Sequence, residues 1–348
     1  MLTKVYRLDE NNIDNKLIEE AADVIRRGGT VVFPTETVYG IGANAIDVDA
    51  VSNIFTAKGR PSDNPLIIHI SSIDMLLYSI GEPLSEKAEL LIRRFWPGPL
   101  TLIFKKSSGI PSKVTAGLDT VAVRMPDNKI ALKLIEKSGV PIAAPSANLS
   151  GKPSPTSAHH VIHDLEGRVD TILCGKDSTI GVESTVLDIS EGVPTILRPG
   201  GVTLEQLKQV LGEVYIDPGL IDDKTVPKSP GMKYKHYAPS APMQIIVGER
   251  EKVTKKIQQL IDENIKLHKK IGVLATEETK KHYTKCMVIS MGSRENTKEA
   301  AANIFKALRE FDEKKVDIIF AEAVDEKDMG LAVMNRMKKA AGFHMIEV

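Results

Sequence analysis

The chain has 348 residues, which is enough for two domains of ordinary size with well-buried cores. Its 46 lysines and arginines balance its 46 aspartates and glutamates, so net charge gives no reason to expect strong binding to nucleic acid or to a membrane surface. The two cysteines, Cys174 and Cys286, lie far apart without metal-ligand spacing, which argues against a disulfide scaffold and against a zinc site.

The chain up to about residue 211 alternates between helical and strand patterns. Apolar residues at helical spacing predict a helix that ends at Gly28, and further helices over residues 44–57 and 86–95. A capping-box pattern at residues 203–206 begins the last helix of this region. Short β-branched runs predict strands at 30–33, 66–70, 100–104, 121–124, 142–144, 171–173, 185–189 and 195–197. Because strands outnumber the helices between them, we expect a large, twisted mixed sheet with helices and not a strict βαβ repeat.

Residues 213–242 contain five prolines and almost no periodicity, which is typical of a linker or a functional loop. Beyond them, strand patterns near 244–247, 271–274, 287–289 and 317–320 alternate with helical patterns. That alternation predicts a small parallel sheet with helices on its faces, a Rossmann-like α/β unit. We therefore expect a first domain over residues 1–212, a proline-rich linker over 213–242 and a smaller C-terminal α/β domain over 243–348.

The loop after the predicted helix 44–57 carries the pattern most suggestive of chemistry. Gly59 can end this helix in a left-handed turn, and the two prolines that follow stop any further helix. Four side chains of this loop are cations or short polar groups, which suit a phosphate-rich ligand: Lys58, Arg60, Ser62 and Asn64. The alternative is a solvated helix end whose basic residues complement the helix macrodipole.

Four other polar loops lie at the ends of predicted strands, at residues 34–40, 144–151, 181–185 and 198–201. Residues 34–40 offer hydroxyls and a carboxylate at a sheet edge, where a turn with ordinary caps is the alternative. The short hydroxyl and amide side chains of 144–151 suit a loop wrapped closely around a ligand.

Two single residues on predicted strands are also candidates. Arg124 ends a strand and has a planar fork that suits a carboxylate or phosphate, whereas a solvated edge charge is the more common state of such an arginine. His69, on an apolar strand, would by default be a core histidine.

The usual nucleotide-binding signatures are missing from the sequence, since it has neither a P-loop nor a complete dinucleotide fingerprint. No ordering of serine, histidine and aspartate indicates a hydrolase triad. One cluster in the linker, residues 229–239, interleaves basic residues with aromatic ones. Such a cluster could stack on a base and neutralise phosphate, or it could be no more than an adhesive linker.

Eight segments together resemble one known family, the YrdC-like threonylcarbamoyl-AMP synthases of tRNA modification. In chain order they are PTETVYGIGANA, KGRPSDNPLIIHI, FWPGPLTLIF, VAVRMPDN, PIAAPSANLSGKPSPT, GVESTVLDIS, LRPGG and SPGMKYKHYAP. The resemblance runs from about residue 13 to 240 and implies a YrdC-like fold for the first domain. The proline-rich linker and the additional α/β unit make the chain similar to the long, two-domain form of the family.

The resemblance implies a nucleotidyltransferase that joins L-threonine, bicarbonate and ATP into threonylcarbamoyl-AMP and releases pyrophosphate. Mg²⁺ is expected with ATP, bound mostly through phosphates and water. The implied catalytic cations are Lys58 and Arg60. The implied contacts to L-threonine are Thr35, His69, Arg124, Ser146 and Ser184. The implied contacts to ATP are Lys58, Arg60, Ser62, Asn64, Thr120, Asn148, Ser154, Arg198, His236 and Tyr237.

The resemblance also implies that the linker closes over the nucleotide as a lid, with His236 and Tyr237 in it. The product would pass to a transferase complex that modifies tRNA, and a weak contact with tRNA itself is a further hypothesis. We expect a cytoplasmic protein without membrane contact, because the N-terminus lacks a signal-peptide core and no apolar run has the length of a membrane helix.

Two alternatives stay open at this point. One is an RNA-binding module that holds tRNA or double-stranded RNA, against which the zero net charge speaks. The other is carbamoyl transfer with a different amine, which differs from the main interpretation only in substrate.

Overall fold

The computed structural model describes residues 1–220 and 237–348. These residues form two compact units. The first contains Met1–Ser150 and the described residues from Ser154 to Leu220, and the second contains Gly151–Pro153 and the described residues from Tyr237 onward.

The first unit contains short helices, each of which begins after a side chain that accepts a hydrogen bond from a backbone N–H of the first turn. They are α1 Asn15–Arg26, α2 Val48–Lys58, α3 Ile73–Ser79, α4 Glu86–Phe95, α5 Lys129–Ser138, α6 Ala158–Leu165 and α7 Leu204–Leu211. The predicted capping box is confirmed, since Thr203 and Gln206 exchange hydrogen bonds between side chain and backbone. Helix α2 ends as predicted at Gly59, which has a left-handed φ of 59°.

Within residues 1–220 the strands form one mixed sheet of eleven strands. They are β1 Lys4–Arg7, β2 Val31–Phe33, β3 Gly40–Asn44, β4 Ile67–His69, β5 Leu100–Lys105, β6 Thr120–Arg124, β7 Ile142–Ala143, β8 Thr171–Cys174, β9 Thr185–Asp188, β10 Thr195–Arg198 and β11 Tyr215–Ile216. The order is β1-β8-β2-β3-β7-β4-β6-β5-β9-β10-β11. The sheet contains both parallel pairs, such as β4 with β6, and antiparallel pairs, such as β2 with β3. The predicted large mixed sheet is therefore confirmed.

Both faces of the sheet are covered near β2. Val32 packs into the larger core cluster with α2, whereas Val31 and Phe33 pack with α1 and α5 on the opposite face. A strand buried on both faces needs apolar residues at every position, which explains why this strand has a continuous apolar run.

The second unit has the predicted alternation of strands and helices except at one place, since the helix expected between the strands 271–274 and 287–289 is only a 3₁₀ turn at Lys280–His282. Its elements are β12 Met243–Val247, α8 Arg250–Ile265, β13 Ile271–Ala275, β14 Met287–Ser290, α9 Thr297–Lys314, β15 Ile318–Glu322, α10 Met329–Ala340 and β16 Met345–Glu347. The sheet order is β14-β13-β15-β12-β16, and every pair is parallel. The smaller parallel α/β unit is therefore confirmed.

Several elements were not predicted, namely β1, β3, α3, α5, α6, β11 and β16. Strand β3 was missed because Gly40 and Gly42 are typical of a loop. A Cβ on Gly42 would lie 2.4 Å from a methyl group of Ile142 and 2.7 Å from the Phe33 ring. Glycine is therefore required by close packing against the neighbouring strands and not by a turn.

The predicted linker 213–242 lies partly outside the described residues. Strand β11 and a 3₁₀ turn at Pro218–Leu220 fall inside this range, and β11 pairs with β10 of the large sheet. The domain limits at residues 212 and 242 stay predictions.

Candidate active site

The loop between β2 and β3, residues 34–39, is a buried polar turn. The Thr35 hydroxyl donates to the carbonyl of Val38 at 2.6 Å and accepts from the backbone N–H groups of Thr37 and Val38, both at 3.2 Å. The Thr37 hydroxyl lies 2.8 Å from the Thr35 hydroxyl. The carbonyl of Thr35 accepts a hydrogen bond from Ser178 at 3.0 Å. These bonds fix the backbone around Glu36, the residue between the two threonines.

Arg124, at the end of β6, points its guanidinium at this turn. Its Nε donates to the Gly98 carbonyl at 3.1 Å, and its Nη1 donates to the Thr37 hydroxyl at 2.9 Å. Its Nη2 lies 2.6 Å from Oε1 of Glu36, in an ion pair whose side chains are only 4% and 9% exposed. The alternative of a solvated edge charge is therefore wrong for Arg124.

The ion pair of Glu36 and Arg124 is close but poorly aligned. Over the described part of the chain, neither carboxylate oxygen of Glu36 nor Nη2 of Arg124 has a hydrogen-bond partner. Buried polar atoms in proteins are normally paired, so this arrangement leaves donor and acceptor capacity for a polar ligand or water.

His69 lies beside Arg124 in the sheet. It is the register partner of Arg124 across β4 and β6, and of Ile142 across β4 and β7. Burial, and then the positive charge of Arg124, lower the pKa of His69 to about 3. His69 is therefore neutral at physiological pH, and its Nδ1 lies 3.3 Å from the carbonyl of Ile67.

Lys58 joins the end of α2 to the loop 144–151. Its Nζ donates to the carbonyl of Ser146, to the carbonyl of Asn148 at 2.6 Å and to the Asn148 side-chain oxygen at 3.4 Å. The Ser146 hydroxyl donates to the same side-chain oxygen at 2.6 Å. Lys58 is only 3% exposed, so the alternative of a solvated helix end is wrong for this residue.

The loop 144–151 also contacts the turn at 34–39. The N–H of Ala147 donates to the Tyr39 carbonyl at 2.8 Å, and Gly40 pairs with Ser146 in an isolated bridge. The structure thus brings Lys58, Ser146 and Asn148 together and links them through backbone bonds to the loop that carries Thr35.

The rest of the loop after α2 borders an open cavity of about 420 Å³, whose lining includes Arg60, Ser62 and Lys113. Nη2 of Arg60 lies 3.4 Å from the carbonyl of Asn64, and Asn64 is buried. The two cations in the lining of this cavity, Arg60 and Lys113, suit an anionic ligand.

Arg198, at the end of β10, is held by Ser184. Its Nε donates to the Ser184 carbonyl at 3.1 Å, and its Nη2 donates to the Ser184 hydroxyl at 3.2 Å. The residue before Ser184 is Glu183, and its Oε1 accepts a hydrogen bond from the Ser154 hydroxyl at 2.5 Å. A Cβ on Gly200 would lie 2.2 Å from the Glu183 carbonyl oxygen, so only glycine allows this close approach.

One predicted site residue of the first unit, Thr120, is not brought into these contacts. Thr120 begins β6, four residues before Arg124, which corresponds to about 13 Å along a strand. Tyr237 is described with the second unit, where its ring centroid lies 5.2 Å from that of Phe305 and the guanidinium of Arg336 lies 5.4 Å above it. His236 lies outside the described residues.

Sequence reasoning did not select Glu36. The available signal was a carboxylate between two threonines directly after a buried strand, at a place where a polar side chain has no partner nearby in sequence.

Among residues 1–220 and 237–348, no group of three or more His, Cys, Asp or Glu side chains could hold a metal ion. No helix in the same residues has the length and apolar character needed to cross a membrane.

Comparison with known proteins identifies the family. A family model described as telomere recombination matches residues 23–200, and one described as the C-terminal domain of threonylcarbamoyl-AMP synthase matches residues 202–342. The threonylcarbamoyl-AMP synthase of Pyrococcus abyssi is 52% identical over 346 residues, with 97% of both chains covered. That of Bacillus subtilis is also 52% identical, with 97% of this chain and 96% of the relative covered.

Two solved structures of the Pyrococcus abyssi protein, Sua5, match almost the whole chain. A crystal structure in complex with L-threonine has a TM-score of 0.94 at 52% identity and covers 99% of this chain and 100% of the other. A variant in which a histidine and a tyrosine are each replaced by alanine also has a TM-score of 0.94, at 51% identity, and covers 100% of this chain and 98% of the other. These comparisons support the enzyme and not the RNA-binding module. The chain belongs to the threonylcarbamoyl-AMP synthase family and is a nucleotidyltransferase.

Proposed function

We propose that the first unit condenses L-threonine, bicarbonate and ATP into threonylcarbamoyl-AMP and pyrophosphate, with the amino acid at Arg124 and the phosphates at Lys58 and Arg60. The observation that carries this assignment is the burial of three cations, each at the C-terminal end of an element of the first unit. Lys58 ends α2, Arg124 ends β6 and Arg198 ends β10, and they are 3%, 3% and 6% exposed. Cations are almost never buried so deeply without paired or functional partners, so their joint burial favours a site for anionic ligands.

L-Threonine is assigned to the surroundings of Arg124. The guanidinium is held by two hydrogen bonds to the protein, and Nη2, which makes only the poorly aligned contact with Glu36, would meet the substrate carboxylate. The neutral imidazole of His69 can hydrogen-bond to the threonine hydroxyl without adding a second positive charge. Thr35 and Ser184 hold the neighbouring loops in place and offer further hydroxyl groups.

ATP is assigned to the loop after α2 and to the loop 144–151. Lys58 has three hydrogen bonds to one loop, and a phosphate oxygen can replace its long 3.4 Å contact with the Asn148 side chain. Further nucleotide contacts are proposed for Arg60, Ser62, Asn64, Asn148, Ser154 and Arg198. The nucleotide roles of Thr120, His236 and Tyr237 stay predictions.

The reaction needs orientation and charge neutralisation more than acid-base catalysis. Bicarbonate supplies the carbon dioxide that the threonine amine takes up as a carbamate, and the carbamate oxygen then attacks the α-phosphorus and displaces pyrophosphate. Lys58 and Arg60 would stabilise the charge that develops on the phosphate oxygens. Mg²⁺, held mostly by phosphates and water, would neutralise the leaving pyrophosphate.

The product is a mixed anhydride, which water destroys, so we propose that it passes directly to a transferase that modifies tRNA. A direct contact of this chain with tRNA is a weaker proposal, since the formal net charge is zero.

The direct test is the substrate dependence of pyrophosphate release. The proposal predicts release only when L-threonine, bicarbonate and ATP are all present. Release that continues without threonine or without bicarbonate would show simple ATP hydrolysis and would overturn the proposed reaction.

A further inference from the structure

The ion pair between Glu36 and Arg124 is poorly built for a purely structural role. Removing two charges from water costs several kcal/mol per ion, and the pair recovers this cost only with good geometry and additional hydrogen bonds. Here the two side chains approach to 2.6 Å, yet the contact is not a hydrogen bond. Within the described residues both Glu36 oxygens and Nη2 of Arg124 lack hydrogen-bond partners.

A second buried carboxylate in the same chain shows what a structural role requires. Glu322, at the end of β15, is 0% exposed and receives five hydrogen bonds. Its donors are the N–H and hydroxyl of Thr276, the hydroxyls of Thr279 and Tyr283, and Nη2 of Arg294. Both oxygens of Glu36 are also buried, but neither has a hydrogen-bond donor among the described residues, so Glu322 shows that a buried glutamate of this chain can be fully paired.

The two charges are nevertheless held at fixed positions by their backbones and neighbours. Nε and Nη1 of Arg124 are anchored to Gly98 and Thr37, so Nη2 is the one guanidinium nitrogen that makes no hydrogen bond within the described residues. The carbonyl of Glu36 accepts from the N–H of Ile180 at 2.9 Å, and the Thr35 turn precedes it. A fixed donor and a fixed acceptor of opposite charge, side by side, are complementary to a zwitterion.

We propose that Glu36 binds the amino group of the amino-acid substrate and that the ion pair with Arg124 is a resting contact which the zwitterion replaces. The substrate carboxylate takes Nη2 of Arg124, and the substrate ammonium takes the Glu36 oxygens. Each buried charge thereby gains the hydrogen bonds that it lacks. The inference rests on the proposed function, and it adds that the site selects zwitterionic α-amino acids over hydroxy acids of the same shape.

The test compares two ligands by calorimetry: L-threonine, and the 2,3-dihydroxybutanoate in which a hydroxyl replaces the amine at the same configuration. The wild type should bind L-threonine at least about tenfold more tightly than the analogue. In Glu36→Gln this ratio should fall to near one, while the affinity for ATP stays unchanged. Asp127→Asn is the matched control, because Asp127 is an exposed carboxylate that interacts electrostatically with Glu36 at a distance. It should retain the wild-type ratio.

The outcomes separate the two proposals. A wild type that binds no L-threonine overturns the proposed function and this inference with it. A wild type that binds both ligands equally, or a ratio that Glu36→Gln leaves unchanged, overturns the role of Glu36 alone. If Glu36→Gln does not fold, as judged by circular dichroism, Glu36→Asp keeps the charge on a shorter side chain. The proposal then predicts that the aspartate variant still prefers L-threonine, and a loss of that preference in a folded protein would contradict it.

Discussion

His69 of β4 and Arg124 of β6 face each other in register across a parallel pair of strands, so a buried imidazole lies directly beside a buried guanidinium. The pKa of His69 falls to about 3, first because of burial and second because of the charge on Arg124. The folded-state pKa thus lies below the unfolded value of about 6.5. As the pH falls through 6.5, the unfolded state binds the proton first, and stability is lost progressively down to about pH 3.

The first prediction concerns acid sensitivity. As the pH falls from 6.5 to 3, His69 should lower the free energy of unfolding by about 1.4 kcal/mol per pH unit. At pH 5 the loss should be about 2 kcal/mol. His69→Gln should remove that part of the pH dependence. Urea unfolding followed by the fluorescence of Trp96, the one tryptophan of the chain, measures it. The exposed His159, changed to glutamine, is the control, and an equal effect of both substitutions would contradict the argument.

The second prediction separates the two cations of the loop after α2. Lys58→Ala should abolish activity and also lower stability by about 1–3 kcal/mol, because it leaves the carbonyls of Ser146 and Asn148 without their donor. Arg60→Ala should abolish activity at a stability cost below about 0.5 kcal/mol. Pyrophosphate release and thermal unfolding of both variants measure the two effects. Near-normal activity of both variants would show that this loop does not bind the phosphates of ATP.

The third prediction assigns Arg124 to the amino acid. Arg124→Lys should weaken L-threonine binding by tenfold or more and ATP binding much less, since an ammonium cannot reproduce the planar fork that also holds Gly98 and Thr37. Calorimetric titration with each ligand gives the two affinities. Reduced ATP affinity with unchanged threonine affinity would place Arg124 on the nucleotide side.

The fourth prediction concerns the approach of Gly200 to residues 183–185. Gly200→Ala should displace this backbone and lower both stability and activity, because the added Cβ would lie 2.2 Å from the Glu183 carbonyl oxygen and close to Ser184, the partner of Arg198. Gly59→Ala is a useful comparison, since nothing lies within 4 Å of a Cβ there and only the left-handed φ of 59° is strained. It should cost about 1 kcal/mol. Similar unfolding temperatures for the two variants would refute the steric argument.

The fifth prediction concerns the end of the first unit. Truncation after residue 212 would remove β11 and the core residues Val214 and Leu220, so it should give a less stable protein than truncation after residue 220. Burial of each of these apolar side chains contributes about 1.5–3 kcal/mol. Urea unfolding of the two fragments measures the difference, and equal midpoints would support the predicted limit at residue 212.

The parts of the fold that sequence reasoning predicted depend on local signals. Helix α4 has its predicted limits, and the end of α2 at Gly59 follows from a glycine and two prolines. Strand β3 was missed because the reason for Gly42 is the packing of Phe33 and Ile142 from other strands. Contacts between distant segments are not encoded in such local patterns.

The same distinction holds for the site. The residue pattern singled out Lys58 and the loop that contains Ser146 and Asn148, and resemblance to a family gave them roles; the structure brings the three residues together. Neither the pattern nor the resemblance selected Glu36, whose importance becomes visible only when Arg124, far along the chain, is placed beside it.

The most direct measurement for the whole account is mass spectrometry of the product made from L-threonine, ATP and ¹³C-labelled bicarbonate. The account predicts threonylcarbamoyl-AMP that carries one heavy carbon, made by the wild type and lost in Lys58→Ala and Arg124→Lys. AMP without this adduct, or an adduct that contains no label, would contradict it.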